Sequence, residues 1–309
     1  MNDIYKKLLR CDIGIMRFSE LLSKHCTWEI GGLADVMVEP SSLIQLKNIL
    51  AFCVDNSIQY IVIGRGANVL FSDNGYSGIV IKIGQAFSKC VIDNEIVRCE
   101  SGVWVPGLAR RVGNLSLSGL EHTVGIPSTI GGLVYMNGGS LRQCIGNNIV
   151  SVTTLFKNGE IKKYNAEECA FDYRISRFQT HSDEIIVEVT IKLKSGNKHE
   201  IRREMLSILK QRRTAFPLKQ PSCGSVFKIN DKIYNEFGPP GKIIEGLGLK
   251  GYRVGNVIVS NKHANFFVNL GGAKASDVLE LVKYVNQMVF QKTGSELVCE
   301  VRYIESSNV

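Results

Sequence analysis

Gly125-Ile126-Pro127-Ser128-Thr129-Ile130-Gly131-Gly132-Leu133-Val134-Tyr135-Met136-Asn137-Gly138-Gly139 is the stretch on which the reading of this chain turns. Its glycines let the backbone come close to a neighbour or a ligand. Ser128 or Thr129 is placed to cap a helix beginning near Gly131, whose first N–H groups would face an anion. A second run, Gly64-Arg65-Gly66-Ala67-Asn68-Val69-Leu70, follows Tyr60-Ile61-Val62-Ile63, which reads as a buried strand. There positive φ angles would turn consecutive N–H groups toward a phosphate. Alone, that run reads as readily as a tight turn; the Gly-rich run 125–139 favours a phosphate-bearing ligand.

Length and composition set the frame. The chain has 309 residues, 44% hydrophobic and 21% charged, more than one core usually holds, so two or three compact units are expected. No stretch supplies the roughly 18 apolar residues of a membrane span, and Met1-Asn2-Asp3-Ile4-Tyr5-Lys6-Lys7 has no apolar secretory region, so a cytoplasmic protein without membrane insertion is expected. The cysteines at 11, 26, 53, 90, 99, 144, 169, 223 and 299 form no Cys-x-x-Cys pair. They read as reduced and mostly buried thiols, with no metal site, and Cys223 and Cys299 as small packing residues. The net charge of +8 comes from basic residues spread along the chain. Without a nucleic-acid motif it points to polyanionic small molecules rather than nucleic acid. Arg202-Arg203 and Lys210-Gln211-Arg212-Arg213 fall on a helical pattern (Ile201, Met205, Ile208, Leu209) and read as its solvated face or as an anion-attracting surface.

Ser41-Ser42 before Leu43, Leu46, Ile49, Leu50 and Cys53 predicts a capped amphipathic helix. Strands are predicted at 79–83, 90–92, 96–99, 152–156, 161–164 and 185–193, with a hairpin through Asn158-Gly159. Ser195-Gly196-Asn197 marks a boundary. Beyond it come a helix over about 198–213, short strands near 252–259 and 265–268, a helix over about 276–291 and a last strand from Leu297 to Ile304. The fold class is α+β, divided as 1–60, 61–195 and 196–309, with a ligand cleft expected between the larger part and the smaller one. Gly246-Leu247-Gly248-Leu249-Lys250-Gly251 fits a dinucleotide fingerprint, but a helix precedes it and strands follow, the reverse of what that fingerprint requires, so it reads as a helix end and turn.

Three further segments carry acid–base character. Pro221-Ser222-Cys223-Gly224-Ser225-Val226-Phe227 sets the Ser225 hydroxyl on a turn before an apolar strand start, where it reads as a proton donor or as a cap. Tyr173-Arg174-Ile175-Ser176-Arg177-Phe178 offers a guanidinium suited to a carboxylate or to a structural ion pair, in a strand-like context. In Glu296-Leu297-Val298-Cys299-Glu300-Val301-Arg302, strand alternation puts Glu300 and Arg302 on one face.

From about Lys24 to Ile304 these motifs, in this order, resemble the UDP-N-acetylenolpyruvoylglucosamine reductase family. Trp28-Glu29-Ile30-Gly31-Gly32 and Ala34-Asp35, ahead of the Gly-rich loops, resemble the FAD-binding domain that this family shares with vanillyl-alcohol-oxidase (PCMH) type flavoproteins. The resemblance implies a two-part FAD-binding domain over 1–60 and 61–195, followed by a smaller α/β substrate-binding domain over 196–309. It implies reduction of the enolpyruvyl group of UDP-N-acetylglucosamine enolpyruvate to UDP-N-acetylmuramate through FAD, with NADPH as reductant. Ser225 is then the proton donor, Arg174 the stabiliser of growing carboxylate charge, and Glu300 a neutral hydrogen-bonding carboxyl. Gly64, Arg65, Gly66, Ala67 and Asn68, with Gly125, Ile126, Pro127, Ser128, Thr129, Gly131 and Gly132, hold the flavin and its pyrophosphate. Tyr173, Arg213 (or Arg212), Lys262 and His263 are substrate contacts, His263 being more often structural in the family. Covalent relatives carry a histidine in the first loop or a cysteine in the second; neither stands here, so FAD is expected to be non-covalent. The chain resembles the shorter form of the family, without a tyrosine-bearing substrate loop, and a monomer or weak homo-oligomer is expected. The competing enzyme reading is another FAD oxidase of the same fold; the competing non-enzyme reading is a basic nucleotide-binding or RNA-binding protein.

Overall fold

A computed structural model describes residues 3–181 and 183–306. The chain divides into two compact units, one made of Met1–Phe18, Val36–Arg65 and Gly78–Gln211, the other of Ser19–Asp35, Gly66–Ser77 and Arg212–Val309.

In the first unit the helix Leu43–Asp55 starts where Ser42 Oγ accepts from the Gln45 N–H at 3.2 Å. Its apolar face, with Leu46, Ile49, Leu50 and Cys53, closes over Ile79, Ile81, Leu155, Ile185 and Val187. The strand Tyr60–Ile63 pairs in parallel with Tyr76–Lys82 in a four-stranded sheet, and only Ile63 of its four residues is fully buried. A five-stranded antiparallel sheet runs in the order Ile161–Asn165, Ile149–Phe156, Glu184–Lys192, Ile96–Glu100, Cys90–Asp93. The helix Val105–Asn114 buries Val105, Leu108, Ala109 and Val112 in a second core with Val97, Cys99, Val152, Val189 and Ile191.

One local irregularity assigns side chains to the two cores. The register of Glu184–Lys192 shifts between Ile186 and Glu188, and a bulged residue reverses the face on which later side chains emerge. Ile185 and Val187 therefore join the first core, whereas Val189 and Ile191, of the same parity, join the second.

In the second unit the helix Ala275–Thr293 begins on the Asp73 carboxylate, which accepts from the Ala275 N–H at 2.6 Å and the Ser276 N–H at 3.0 Å. A carboxylate there satisfies helix-end donors and meets the positive end of the helix dipole. Arg253–Val254, Val257–Val259 and Phe267–Asn269 form an antiparallel meander. The helix Pro240–Gly246 and the turn after it precede this meander, so the helix–turn–strand order expected around Gly246–Gly251 is observed.

The predicted last strand from Leu297 to Ile304 is not continuous. Cys299 makes an isolated antiparallel bridge to Phe227, and only Arg302–Ile304 is a strand, parallel to Val69–Phe71. A segment that changes partners and pairing sense within three residues cannot keep one strand geometry throughout.

Trp28 is fully buried in the second unit; its Nε1–H donates to Phe267 O at 3.0 Å and its carbonyl accepts from Asn269 Nδ2 at 2.9 Å. Trp28→Ala is expected to lower stability by about 3–5 kcal/mol, the usual result of emptying an indole-sized core site, and Trp28→Phe by about 1–3 kcal/mol, from a lost buried hydrogen bond and residual space. Urea unfolding midpoints of the two variants check both the order and the sizes.

Candidate functional site

In the second unit the segment after Gly224 is gripped from two sides. Val226 N–H donates to Asn265 O at 2.9 Å, Phe227 N–H to Asn265 Oδ1 at 3.0 Å, and Asn265 Nδ2 donates back to Phe227 O at 2.9 Å. On the other side Glu300 N–H donates to Val226 O at 2.7 Å and Lys228 N–H to Val298 O at 2.8 Å. Ser225 thus stands one residue from a carbonyl held by Glu300, and the backbones of the two predicted residues are brought near each other. Asn68 joins them: its Nδ2 donates to Glu300 O at 3.1 Å, and its carbonyl accepts from Arg302 N–H at 3.1 Å. Asn265, 5% exposed, is the organising residue that motif reading passed over. A lone amide ahead of the apolar Phe266-Phe267-Val268 was the signal for it, since a buried polar side chain must find partners.

Cys223 is buried, and desolvation pushes its thiol well above the ordinary range. It suits packing. Cys299 is exposed, its Sγ 3.5 Å from Val301 O, so packing does not describe it.

Arg174 belongs to the first unit. The expected strand-like context is replaced by a tight turn in which Asp172 and Ile175 exchange both backbone hydrogen bonds, at 3.1 and 3.0 Å, and Arg174 takes φ 56. A long side chain in the left-handed region is uncommon and costs energy that the surroundings must offset. They do so through Asn137 Nδ2 on Asp172 O at 2.8 Å, Tyr173 N–H on Asp172 Oδ1 at 2.7 Å and Gln179 Nε2 on Arg174 O at 3.0 Å. The Arg174 guanidinium lies 5.9 Å from the ring centre of the exposed Tyr173.

The two Gly-rich loops differ in what their backbone offers. Gly66, φ 64, gives its carbonyl to Thr27 N–H at 3.1 Å, while the N–H groups of Gly66 and Ala67 have no partner among the described residues. Successive unpartnered N–H groups are what an anion cradle is built from. Of the 125–132 loop, five N–H groups are spent within the protein, whereas those of Gly125 and Thr129 have no partner among the described residues. Ile126 N–H goes to Thr123 O, Ser128 N–H to Ile126 O, Ile130 N–H to Val103 O, Gly131 N–H to Ser101 O and Gly132 N–H to Thr129 Oγ1. Thr129, the expected cap, starts the helix Ile130–Tyr135, and Ser128 Oγ bonds Thr129 O at 2.9 Å. Gly64 packs so close to Thr129 that any β-carbon there would collide with Oγ1. This contact joins Gly64 of the first loop to the second.

Each loop, taken within its own unit, has a buried hydroxyl suited to a phosphate or ribose oxygen of a dinucleotide. Thr27 Oγ1, beside the Gly66 cradle, and Ser101 Oγ, beside Gly131, are buried hydroxyls without protein partners, and such groups ordinarily meet a ligand or water. Among the described residues no group of His, Cys, Asp and Glu could hold a metal ion.

The remaining predicted contacts cluster in the second unit. Lys262 Nζ bonds Arg213 O at 3.3 Å, and the rings of Phe216, His263 and Phe266 pack together, with the Arg212 guanidinium 4.9 Å over Phe216. Arg213 is exposed. His263 Nδ1 accepts from Asn265 N–H at 3.2 Å, and burial, then Lys250, push its pKa below 6.5 against a smaller opposing pull from Glu245. His263 is neutral at pH 7. It supports Asn265 and brings no charge to a ligand. Because its folded pKa is depressed, its contribution to stability is present above about 6.5 and lost as pH falls through the folded value. Proton NMR should place its titration below 6.5, and the acid-side decline in stability should be shallower in His263→Gln. A midpoint at or above 6.5 would contradict the neutral role.

Residues 34–165 match the FAD binding domain family, and residues 216–304 match the C-terminal domain of UDP-N-acetylenolpyruvoylglucosamine reductase. UDP-N-acetylenolpyruvoylglucosamine reductase 1 of Corynebacterium glutamicum is 42% identical over 280 residues, 91% of this chain and 83% of that protein. The reductase of Bacillus pumilus is 33% identical over 308 residues, spanning 100% of both. The crystal structure of the reductase from Thermus caldophilus superposes with a TM-score of 0.79 at 32% identity, covering 94% of this chain and 99% of that one. By sequence identity over nearly its whole length, the chain belongs to the UDP-N-acetylenolpyruvoylglucosamine reductase family.

Proposed function

We propose that this chain reduces the enolpyruvyl group of UDP-N-acetylglucosamine enolpyruvate to give UDP-N-acetylmuramate, a step of peptidoglycan precursor synthesis, with non-covalent FAD and NADPH. The observation that carries the residue assignment is the hydrogen bond from Glu300 N–H to Val226 O, 2.7 Å, which holds a carboxyl and the Ser225 hydroxyl on adjoining backbone. FAD, when bound, would supply hydride chemistry toward the enolpyruvyl group, with NADPH as its reductant. Residues 1–60 and 61–195 are assigned to FAD binding and 196–309 to the substrate. A cytoplasmic location and a monomer or weak homo-oligomer belong to the same proposal; among the described residues no helix is long and apolar enough to cross a membrane.

In this reading the chain's own groups manage charge and the proton. Arg174, permanently charged, faces the substrate carboxylate as negative charge grows there. Glu300 in its neutral form donates a hydrogen bond to the same charge, since an ionised carboxyl would repel it. The Ser225 O–H delivers its proton to the carbon beside the carboxylate, a far stronger base than water. The Gly66 and Ala67 N–H groups, with Thr27 Oγ1, would hold cofactor phosphate oxygens, and Ser101 Oγ would offer the cofactor a hydrogen bond. Tyr173, Lys262 and Arg213 or Arg212 contact the sugar nucleotide, with His263 supporting that surface.

Ser225→Ala separates the two halves of the reaction. NADPH should still bleach the flavin absorption, and adding the enolpyruvyl sugar nucleotide should leave it bleached, with turnover down on the order of 10²-fold or more. Stability should change by less than about 1 kcal/mol, and Ser225→Cys should recover part of the activity. Reoxidation of the Ser225→Ala flavin by the sugar nucleotide at the unmutated rate would remove Ser225 from the mechanism.

A further inference from the structure

Cys90 and Cys99 face each other across the hairpin of Cys90–Asp93 and Ile96–Glu100, directly opposite in register. The neighbouring pair, Lys89 and Glu100, is joined by the Glu100 N–H to Lys89 O bond at 2.8 Å. By the alternation of an antiparallel ladder, Cys90 and Cys99 therefore occupy a non-hydrogen-bonded site, where α-carbons lie about 4.5 Å apart and side chains are closest. That spacing falls within the range a disulfide spans, about 4.4–6.8 Å. The two sulfurs are 3.4 Å apart, with the Cys99 thiol donating to Cys90.

We propose that Cys90 and Cys99 form a reversible oxidation site, in which a hydroperoxide converts the facing thiols into a cross-strand disulfide.

The surroundings give the two cysteines different parts. Cys99 is fully buried, whereas Cys90 is partly exposed and lines a cavity of about 170 Å³ with Ser88, Val103, Trp104, Gly107, Leu108 and Arg111. A small oxidant reaches Cys90 first. The charged groups around the pair are Arg111, from the helix Val105–Asn114, and Glu188, from the strand Glu184–Lys192. The hydrogen bond from Cys99, assisted by Arg111, draws the Cys90 thiol below the ordinary thiol range, and the same hydrogen bond, then burial and the Cys90 charge, push Cys99 up. The partly exposed sulfur is the nucleophile, and the buried one keeps its proton until it is needed.

The atoms balance. The Cys90 thiolate attacks one peroxide oxygen, an S–O bond forms, the O–O bond breaks, and the departing hydroxide takes a proton to become water. The Cys99 sulfur then attacks Cys90, the S–S bond forms, and the S–O bond breaks. The oxygen leaves as a second water with the Cys99 proton. Two thiols lose two electrons and the peroxide is reduced to two waters. A dithiol reductant reverses the link by exchange, consistent with the transient disulfides of reducing compartments.

The test needs only the full-length protein. Trypsin cuts after Lys89, Arg98 and Arg110, so Cys90–Arg98 and Cys99–Arg110 are separate peptides. After hydrogen peroxide treatment and blocking of free thiols, mass spectrometry should find these two peptides joined, and dithiothreitol should separate them. In Cys99→Ser, dimedone should trap a sulfenic acid on Cys90. Because a buried substitution can disturb folding, the unmutated protein provides a second measurement: iodoacetamide alkylation of Cys90 should reach half its maximal rate below the ordinary thiol value of about 8.5. Unlinked, fully alkylated peptides after peroxide, or a Cys90 half-point at or above that value, would overturn the proposal.

Discussion

The 2.7 Å hydrogen bond from Glu300 N–H to Val226 O is the interaction on which the proposed chemistry depends. A serine hydroxyl is a weak acid and can serve as a proton donor only where its position is fixed relative to the acceptor. Here the fixing is done by backbone pairing rather than by the serine itself. Val226 and Phe227 are held by Asn265 on one side and by the 298–300 segment on the other. The latter segment is in turn tied through Asn68. Removing the Asn265 side-chain bonds would leave buried peptide groups of Phe227 unsatisfied.

The same economy governs the proposed cofactor loops. Gly64 exists as glycine because Thr129 occupies the space of its side chain. Most N–H donors of the 125–132 loop bond within the protein, whereas Gly66 and Ala67 keep theirs to spare. Two loops of similar composition thus do different physical work. One supplies shape and a buried Ser101 hydroxyl at its side, the other supplies N–H groups for an anion.

Much of this was legible in the sequence. The Ser42-capped helix, the hairpin 149–165, the long strand at 184–192 and the helices after residue 196 follow from caps, turn residues and hydrophobic period. The meeting of Ser225, Glu300 and Asn68 was not, because it rests on pairings separated by as many as 232 residues, for which no local signal exists. The bulge near Val187 was hidden because a run of Ile and Val suits either face of a sheet buried on both sides. Arg174 looked strand-like because Ile175 and its neighbours have strand propensity. Paired backbone bonds and Asn137 override that preference and force a positive φ on an arginine. Donor use within the 125–132 loop depends on Ser101 and Val103, an adjacency composition cannot reveal.

The most direct test of the account is NADPH oxidation by the purified, flavin-bearing protein, followed without dioxygen in the presence and absence of UDP-N-acetylglucosamine enolpyruvate. The account predicts a single flavin equivalent of NADPH consumed without the sugar nucleotide, and sustained consumption with it, matched mole for mole by UDP-N-acetylmuramate. NADPH consumption that the sugar nucleotide leaves unchanged, or flavin reduced by an alcohol and reoxidised only by dioxygen, would contradict it.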